Sequence, residues 1–272
     1  MGSVPPVIED LVNLEGGIWM RRIAIALSKG GVGKTTTAVN LAAGLARSGK
    51  TVLLVDVDTQ GQVARALGCE PPAGLAEFIQ EEMSIEDVRF LARDNLWLMS
   101  GGRTLVGLKR VITRKDFGGE QTLAEAFDGL EDHYDYILMD TAPGWDALTI
   151  NVLFYAQSVL APVSLEVMTL QGLIDFSRSM TTIQRYRDDL TLKYVLPTFF
   201  DRRVKKSEEI LNQLQNHYRD QLCQPIRYNV RLSEAPGYGQ TIFEYSPRSA
   251  GAQDYQKLTE RILEDDKPKT NP

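Results

Sequence analysis

Residues 28–37 read Ser-Lys-Gly-Gly-Val-Gly-Lys-Thr-Thr-Thr, and the fold turns on how that run is read. Before it stands Ile23-Ala24-Ile25-Ala26-Leu27, a short apolar run of the kind a buried parallel strand requires. After it Ala38, Leu41, Ala42 and Leu45 recur at helical spacing until Gly49 offers a stop. Thr51–Asp56 then reads as a second buried strand, so the run sits at the first turn of a βαβ unit. In that position Gly30, Gly31 and Gly33 free backbone N–H groups to face phosphates, and the following helix adds its positive end. Lys34 and Thr35 occupy the places of a phosphate lysine and a magnesium hydroxyl. The usual spacing G-x-x-x-x-G-K-[ST] has glycine where this chain has Ser28, and it has no place for a second lysine at Lys29.

Outward from that unit, Tyr136–Asp140, Val159–Val163 and Tyr194–Leu196 are further apolar runs, with helical stretches around Leu170–Tyr186 and Ser207–Tyr218. A last helix starts near Ser249 and carries Ala252, Tyr255, Leu258 and Ile262 on one face. Strands alternating with helices predict an α/β fold: a doubly wound, mostly parallel sheet flanked by helices, of the P-loop NTPase type. Residues 70–130 carry little readable periodicity. With 272 residues, 43% hydrophobic and 24% charged, the chain suits one domain over residues 21–264. Residues 1–20 read as a flexible or partly docked N-terminal extension, with Met20 a candidate start, and 265–272 as a flexible tail. Cys69 and Cys223 are few and far apart, which favours a reduced, cytoplasmic setting. No apolar run is long enough to span a bilayer.

Asp140 ends an apolar strand, where a magnesium-holding aspartate belongs. Asp56 and Asp58 close the second strand, and alternation puts both on one face beyond its carboxyl end, where a carboxylate can orient a water. A helix cap or loop acid is the alternative, above all for Asp56. Lys29 precedes the loop glycines and should not reach its own nucleotide. It is either a solvated lysine at the loop entrance or a cation that crosses a dimer to the partner's phosphates. His133 and His217 read as surface residues; Trp145 faces a dimer partner or packs.

Lys29–Thr36 resembles the deviant Walker-A motif of the ParA/MinD superfamily, whose signature is that first lysine. Val55–Gly61 resembles the family's D-x-D-P-Q-G segment with Thr59 for proline, and Asn229–Pro236 and Ser246–Ser249 resemble late segments of the Soj/ParA branch. The resemblance covers about residues 20–264. It implies an ATP hydrolase, weak alone and stimulated by a ParB-like or other adaptor, that uses Mg2+, forms an ATP-dependent homodimer and positions cargo on the nucleoid. Carried over, Lys29, Lys34 and Asp58 are catalytic; Lys29 through Thr36, with Val32, together with Phe199, Arg227 and Asn229, hold the nucleotide; and Thr35, Asp58 and Asp140 hold the metal. Arg227 stands where relatives carry a proline against adenine, but a guanidinium can also stack on a purine.

The net charge of −6 argues against nucleic acid as a general partner, yet Arg202-Arg203-Val204-Lys205-Lys206 is a basic cluster. In the resembling branch the positions of Arg203 and Arg231 bind nonspecific double-stranded DNA, and Lys205, Lys206 and Arg248 extend that expectation. A MinD-like membrane-associated ATPase is the rival reading. It needs a basic amphipathic C-terminal helix, whereas this chain ends in Glu264, Asp265, Asp266 and two prolines. An iron–sulfur reductase is excluded because neither cysteine follows a relevant strand. A DNA-coating protein without turnover remains open at this level.

Overall fold

The computed structural model describes residues 20–130 and 133–267. The expectation of an N-terminal arm therefore falls, Met20 apart, outside the described residues. A seven-stranded sheet has the order β3-β4-β2-β5-β1-β6-β7. Its strands are β1 (Arg21–Ile25), β2 (Val52–Asp56), β3 (Phe90–Arg93), β4 (Leu96–Met99), β5 (Tyr136–Asp140), β6 (Ser158–Ser164) and β7 (Thr191–Thr198). Every pairing is parallel except β3 with β4, an antiparallel edge hairpin. That hairpin lies in the stretch whose sequence shows little periodicity.

All residues of β2 and β5 are buried, as expected of strands covered on both faces. Alternation sends Leu53, Val55, Ile137 and Met139 into one apolar layer and Val52, Leu54 and Leu138 into the other. The second layer is covered by α1 (Lys34–Arg47), α2 (Gln62–Ala66) and two helices from the end of the chain, Ile242–Tyr245 and Ala250–Asp265. The first is covered by α3 (Leu75–Ile79), α4 (Ile85–Val88), α5 (Leu105–Thr113), α6 (Thr122–Ala126), α7 (Ala147–Tyr155), α8 (Val167–Ile183) and α9 (Lys205–His217). The chain closes with α10 (Val230–Glu234), α11 (Ile242–Tyr245) and α12 (Ala250–Asp265).

The Ser249 side chain accepts the Ala252 N–H, so α12 begins where the sequence predicts. Its predicted face is the buried one: Ala252, Tyr255, Leu258 and Ile262 are all in the core. Of the expected tail, residues 268–272 lie outside the described residues. Asp265 still belongs to α12, and Asp266 is fixed by Arg21, Lys193 and the Tyr136 hydroxyl. Trp145 is half-buried and stacks on Phe176 with ring centroids 5.1 Å apart. His133 and His217 are exposed.

Strand order decides where a ligand sits. β1 lies between β5 and β6, so the loops leaving β1, β5 and β2 open together at the carboxyl edge, beside the point where the winding reverses.

Candidate nucleotide site

The loop after β1 turns into α1 through Gly31 and Gly33, whose φ of +74° and +87° lie in the left-handed region that a side chain strains. Gly33 is also the N-terminal cap of α1 and has no side chain to occupy the first-turn N–H groups, which are left for a ligand. Val32 is buried and anchors the loop: its carbonyl accepts the Thr198 hydroxyl at 3.0 Å. Nothing in the sequence marks Thr198, which is remote in the chain. A cavity of about 720 Å³ opens above the loop. Gly31, Gly33, Lys34, Thr35 and Thr36 form one wall, the Asp58–Gln60 and Thr141–Pro143 segments two more, and Phe199 and Arg227–Asn229 the far end.

Lys34 is buried, and its ammonium donates to the Lys29 carbonyl at 3.0 Å. Burial lowers its pKa, while Asp140 and Asp58 pull it back up. A cation stripped of water and resting on one neutral carbonyl has spare capacity for an anion. Asp140 shows the complementary deficit. It is 1% exposed, and neither carboxylate oxygen has a hydrogen-bond partner. Burial raises its pKa well above the usual range and Asp56 across the strand pair adds repulsion, while the Thr35 hydroxyl and Lys34 offset part of this.

Among the described residues no three His, Cys, Asp or Glu side chains cluster as an all-protein metal cage. Mg2+ does not need one, since it keeps waters and shares itself with phosphates. An orphaned buried carboxylate beside the Thr35 hydroxyl therefore fits Mg2+.

Asp56 and Asp58 do not point out together as alternation predicts. Asp56 is fully buried, and its two oxygens accept the N–H groups of Asp58 and Val63 at 2.9 and 3.1 Å. It shapes the loop and does not reach the cavity. Burial still pushes it up to about 6, with those two N–H bonds opposing. Asp58 lines the cavity and accepts the Gln60 N–H through one oxygen. The Gly102 N–H donates to the Asp58 carbonyl at 3.0 Å, so the turn after β4 braces this loop from behind.

Lys29 is not part of that cavity lining. Its ammonium donates to the Thr169 hydroxyl at 2.9 Å and pairs with Glu166 at 3.5 Å, at the start of α8. Both partners lie far from it in the chain and carry no sequence signal. At the far end of the cavity Phe199 is 45% exposed at a φ of +57°. The Arg227 guanidinium is clamped by Asp254 of α12 at 2.7 Å, which satisfies its edges and leaves its planar face for stacking. Asn229 spends its carbonyl oxygen capping α10.

Arg203, Lys205, Lys206, Arg231 and Arg248 are all exposed. The fold joins their three segments. Tyr228 N–H donates to the Phe200 carbonyl, and Arg227 donates to the Ala250 carbonyl. Three of the five already have acidic neighbours: Arg203 with Asp201, Lys206 with Glu209 and Arg231 with Glu234. Exposed pairs of this kind are screened by solvent and weakly held, so phosphates can displace them.

A glycine loop on a helix N-terminus, a buried phosphate lysine and a stripped aspartate at the reversal of a doubly wound sheet define the class: a P-loop nucleotide-binding protein. A family model described as an AAA domain matches residues 20–192. The chain is 37% identical over 246 residues to the chromosome-partitioning ATPase Soj of Thermus thermophilus, covering 90% of this chain and 96% of that protein. It is 35% identical to the sporulation initiation inhibitor protein Soj of Bacillus subtilis, covering 88% and 97%. Among solved structures, cobyrinic acid a,c-diamide synthase of Mycobacterium smegmatis with a bound ATP analog and magnesium superposes with a TM-score of 0.77 at 27% identity, over 90% of this chain and 94% of that one. The chain belongs to the ParA/MinD family of P-loop ATPases, on its Soj/ParA chromosome-partitioning branch.

Proposed function

We propose that this chain binds ATP with Mg2+, closes into a two-fold dimer around it, and in that state binds duplex DNA without sequence preference to position a cargo on the nucleoid. Hydrolysis, slow alone and stimulated by an adaptor protein, resets it. The observation that carries the reading is the division of labour between the two loop lysines. Lys34 belongs to the cavity, and Lys29 has no part in its own.

In this mechanism the Lys34 ammonium leaves the Lys29 carbonyl for the β- and γ-phosphates, while the backbone N–H groups of Gly31 to Thr35 cradle them. Thr35 and Asp140 would hold Mg2+, which supplies charge neutralisation at the phosphates. Asp58 orients the attacking water, with its loop held by Asp56 and the Gly102 N–H. Lys29 releases Thr169 and Glu166 and reaches the partner's phosphates, a role for which groups supplied in trans are worth roughly 10³–10⁵ in rate. Phe199, the Arg227 face and Asn229 bound the base.

DNA phosphates meet Arg203, Lys205, Lys206, Arg231 and Arg248, and dimerisation doubles that footprint. The described residues contain no helix long and apolar enough to cross a membrane. The end of α12 is tied down through Asp266, which leaves it poorly placed to lie on a bilayer. Size-exclusion chromatography with ATP, ADP or no nucleotide, run beside phosphate release with and without DNA, tests the reading. An ATP-specific dimer with turnover is expected. A monomer in all three states, or a dimer that never releases phosphate, would overturn it.

A further inference from the structure

Helix α5 follows the Gly101-Gly102 turn, and its inner residues Leu105, Leu108 and Ile112 are buried. Its outer face is a stripe of Arg103, Val106, Arg110, Val111 and Arg114, all exposed, with Phe117 just beyond at 94% exposure. Elsewhere some surface cations, such as Arg187, Arg203 and Arg231, meet an acid of their own chain, while others, such as Lys205 and Arg248, meet none among the described residues. Among the described residues Arg103, Arg110 and Arg114 meet none. Two valines and a phenylalanine between three unpaired cations call for an acidic segment with an apolar side.

The chain itself contains one. Residues 7–15 read Val-Ile-Glu-Asp-Leu-Val-Asn-Leu-Glu, and residues 1–20 carry Glu9, Asp10 and Glu15 with no lysine or arginine. Val7, Ile8, Leu11, Val12 and Leu14 recur at helical spacing; at that spacing Asp10 flanks the apolar side and Glu15 falls within it. The chain leads away from Met20, which packs in the same apolar layer as Leu105, Leu108 and Ile112. Glu15 stands five positions before Met20, enough for about 17 Å of extended chain.

We propose that residues 7–15 dock on the outer face of α5 of the same chain, with Asp10 and Glu15 against Arg103, Arg110 and Arg114 and the apolar side over Val106, Val111 and Phe117. Tethering makes a weak contact sufficient, since a short linker holds its segment at an effective concentration of about a millimolar. The contact bears on the nucleotide site through the start and the middle of α5. Gly102, just ahead of the helix, braces Asp58, and Lys109 pairs with Asp146 at 3.0 Å, where Asp146 caps α7 beside the cavity.

Hydrogen exchange of the α5 amides tests this in the nucleotide-free full-length chain, so the outcome is independent of the ATP reading. Asp10→Lys with Glu15→Lys should speed exchange in α5 by roughly two- to tenfold, the range a weak tethered contact supports. Arg110→Glu with Arg114→Glu should do the same, and combining both pairs should restore slow exchange. Exchange in β5 serves as the fold control. Equal α5 exchange in all four proteins overturns the proposal. So does failure of the combined charge swap to restore protection. Protection that rises with protein concentration would assign the segment to a second copy and overturn docking within the chain.

Discussion

Lys29 and Lys34 are five residues apart and face different ways: Lys34 lines the cavity and Lys29 pairs at the start of α8. Lys34→Ala removes the cation under the phosphates and should abolish nucleotide binding, read by equilibrium binding of a fluorescent ATP analogue. Lys29→Ala should bind that analogue normally and fail to dimerise with ATP or to turn over; wild-type turnover would sink its role in trans. Asp58→Ala should retain ATP and accumulate as a dimer on size exclusion, because the cradle survives while the water loses its guide. A variant that no longer binds ATP would mean that Asp58 only supports the loop. The glycines, Lys34, Thr35 and Asp140 were legible in sequence because each sits at a strand end or helix start that local pattern fixes. Asp56 was not. Period-two alternation places a side chain on a face, but it cannot say that two backbone N–H groups will capture its carboxylate. Thr198, Thr169 and Glu166 were invisible for a related reason: each acts on the loop from more than a hundred residues away.

At the level of elements, helix α1 meets α12 across Gly44. A methyl at that position would run into the Thr259 hydroxyl, and Thr259 is fully buried. Gly44→Ala should therefore destabilise by about 1–3 kcal/mol despite its better helix propensity. Adding Thr259→Ala should return most of that loss in urea melts. The edge hairpin has a different fastening. Arg93 of β3 donates to the carbonyls of Leu67 and Gly239 and to the Glu244 carboxylate. Burial pushes Glu244 up, but its bonds from Arg93 and the Thr241 N–H outweigh that and hold it below its usual value. A depressed carboxyl stabilises above its unfolded pKa and loses that contribution as pH falls through the folded one. The melting-temperature deficit of Arg93→Met should be largest near neutrality and shrink below about pH 4. The part that persists in acid reports the carbonyl bonds; a deficit that does not change with pH would deny the ion pair any role. β3 and β4 escaped the sequence reading because each has four residues and is held by such distant contacts more than by its own pattern.

For the whole molecule, an acidic protein should bind DNA only when its cations are brought together. Binding to an arbitrary duplex should require ATP, and log affinity should fall linearly with log salt at about −0.9 per phosphate neutralised. Arg231→Ala and Arg203→Ala should each shallow that slope by roughly one per contacting arm and leave dimerisation intact. Equal binding with ATP, with ADP and without nucleotide would reject the switch. Asp140 has a wider consequence. A buried carboxyl with neither oxygen fully satisfied is a cost to folding at the centre of the sheet, between β2 and β1. Whatever satisfies it adds its binding free energy to folding, about 2.7 kcal/mol at a hundredfold excess over its dissociation constant. Under the proposed function, in which Mg2+ and ATP supply that ligand, the energy charge of the cell would set how much of this chain stays folded and escapes proteolysis.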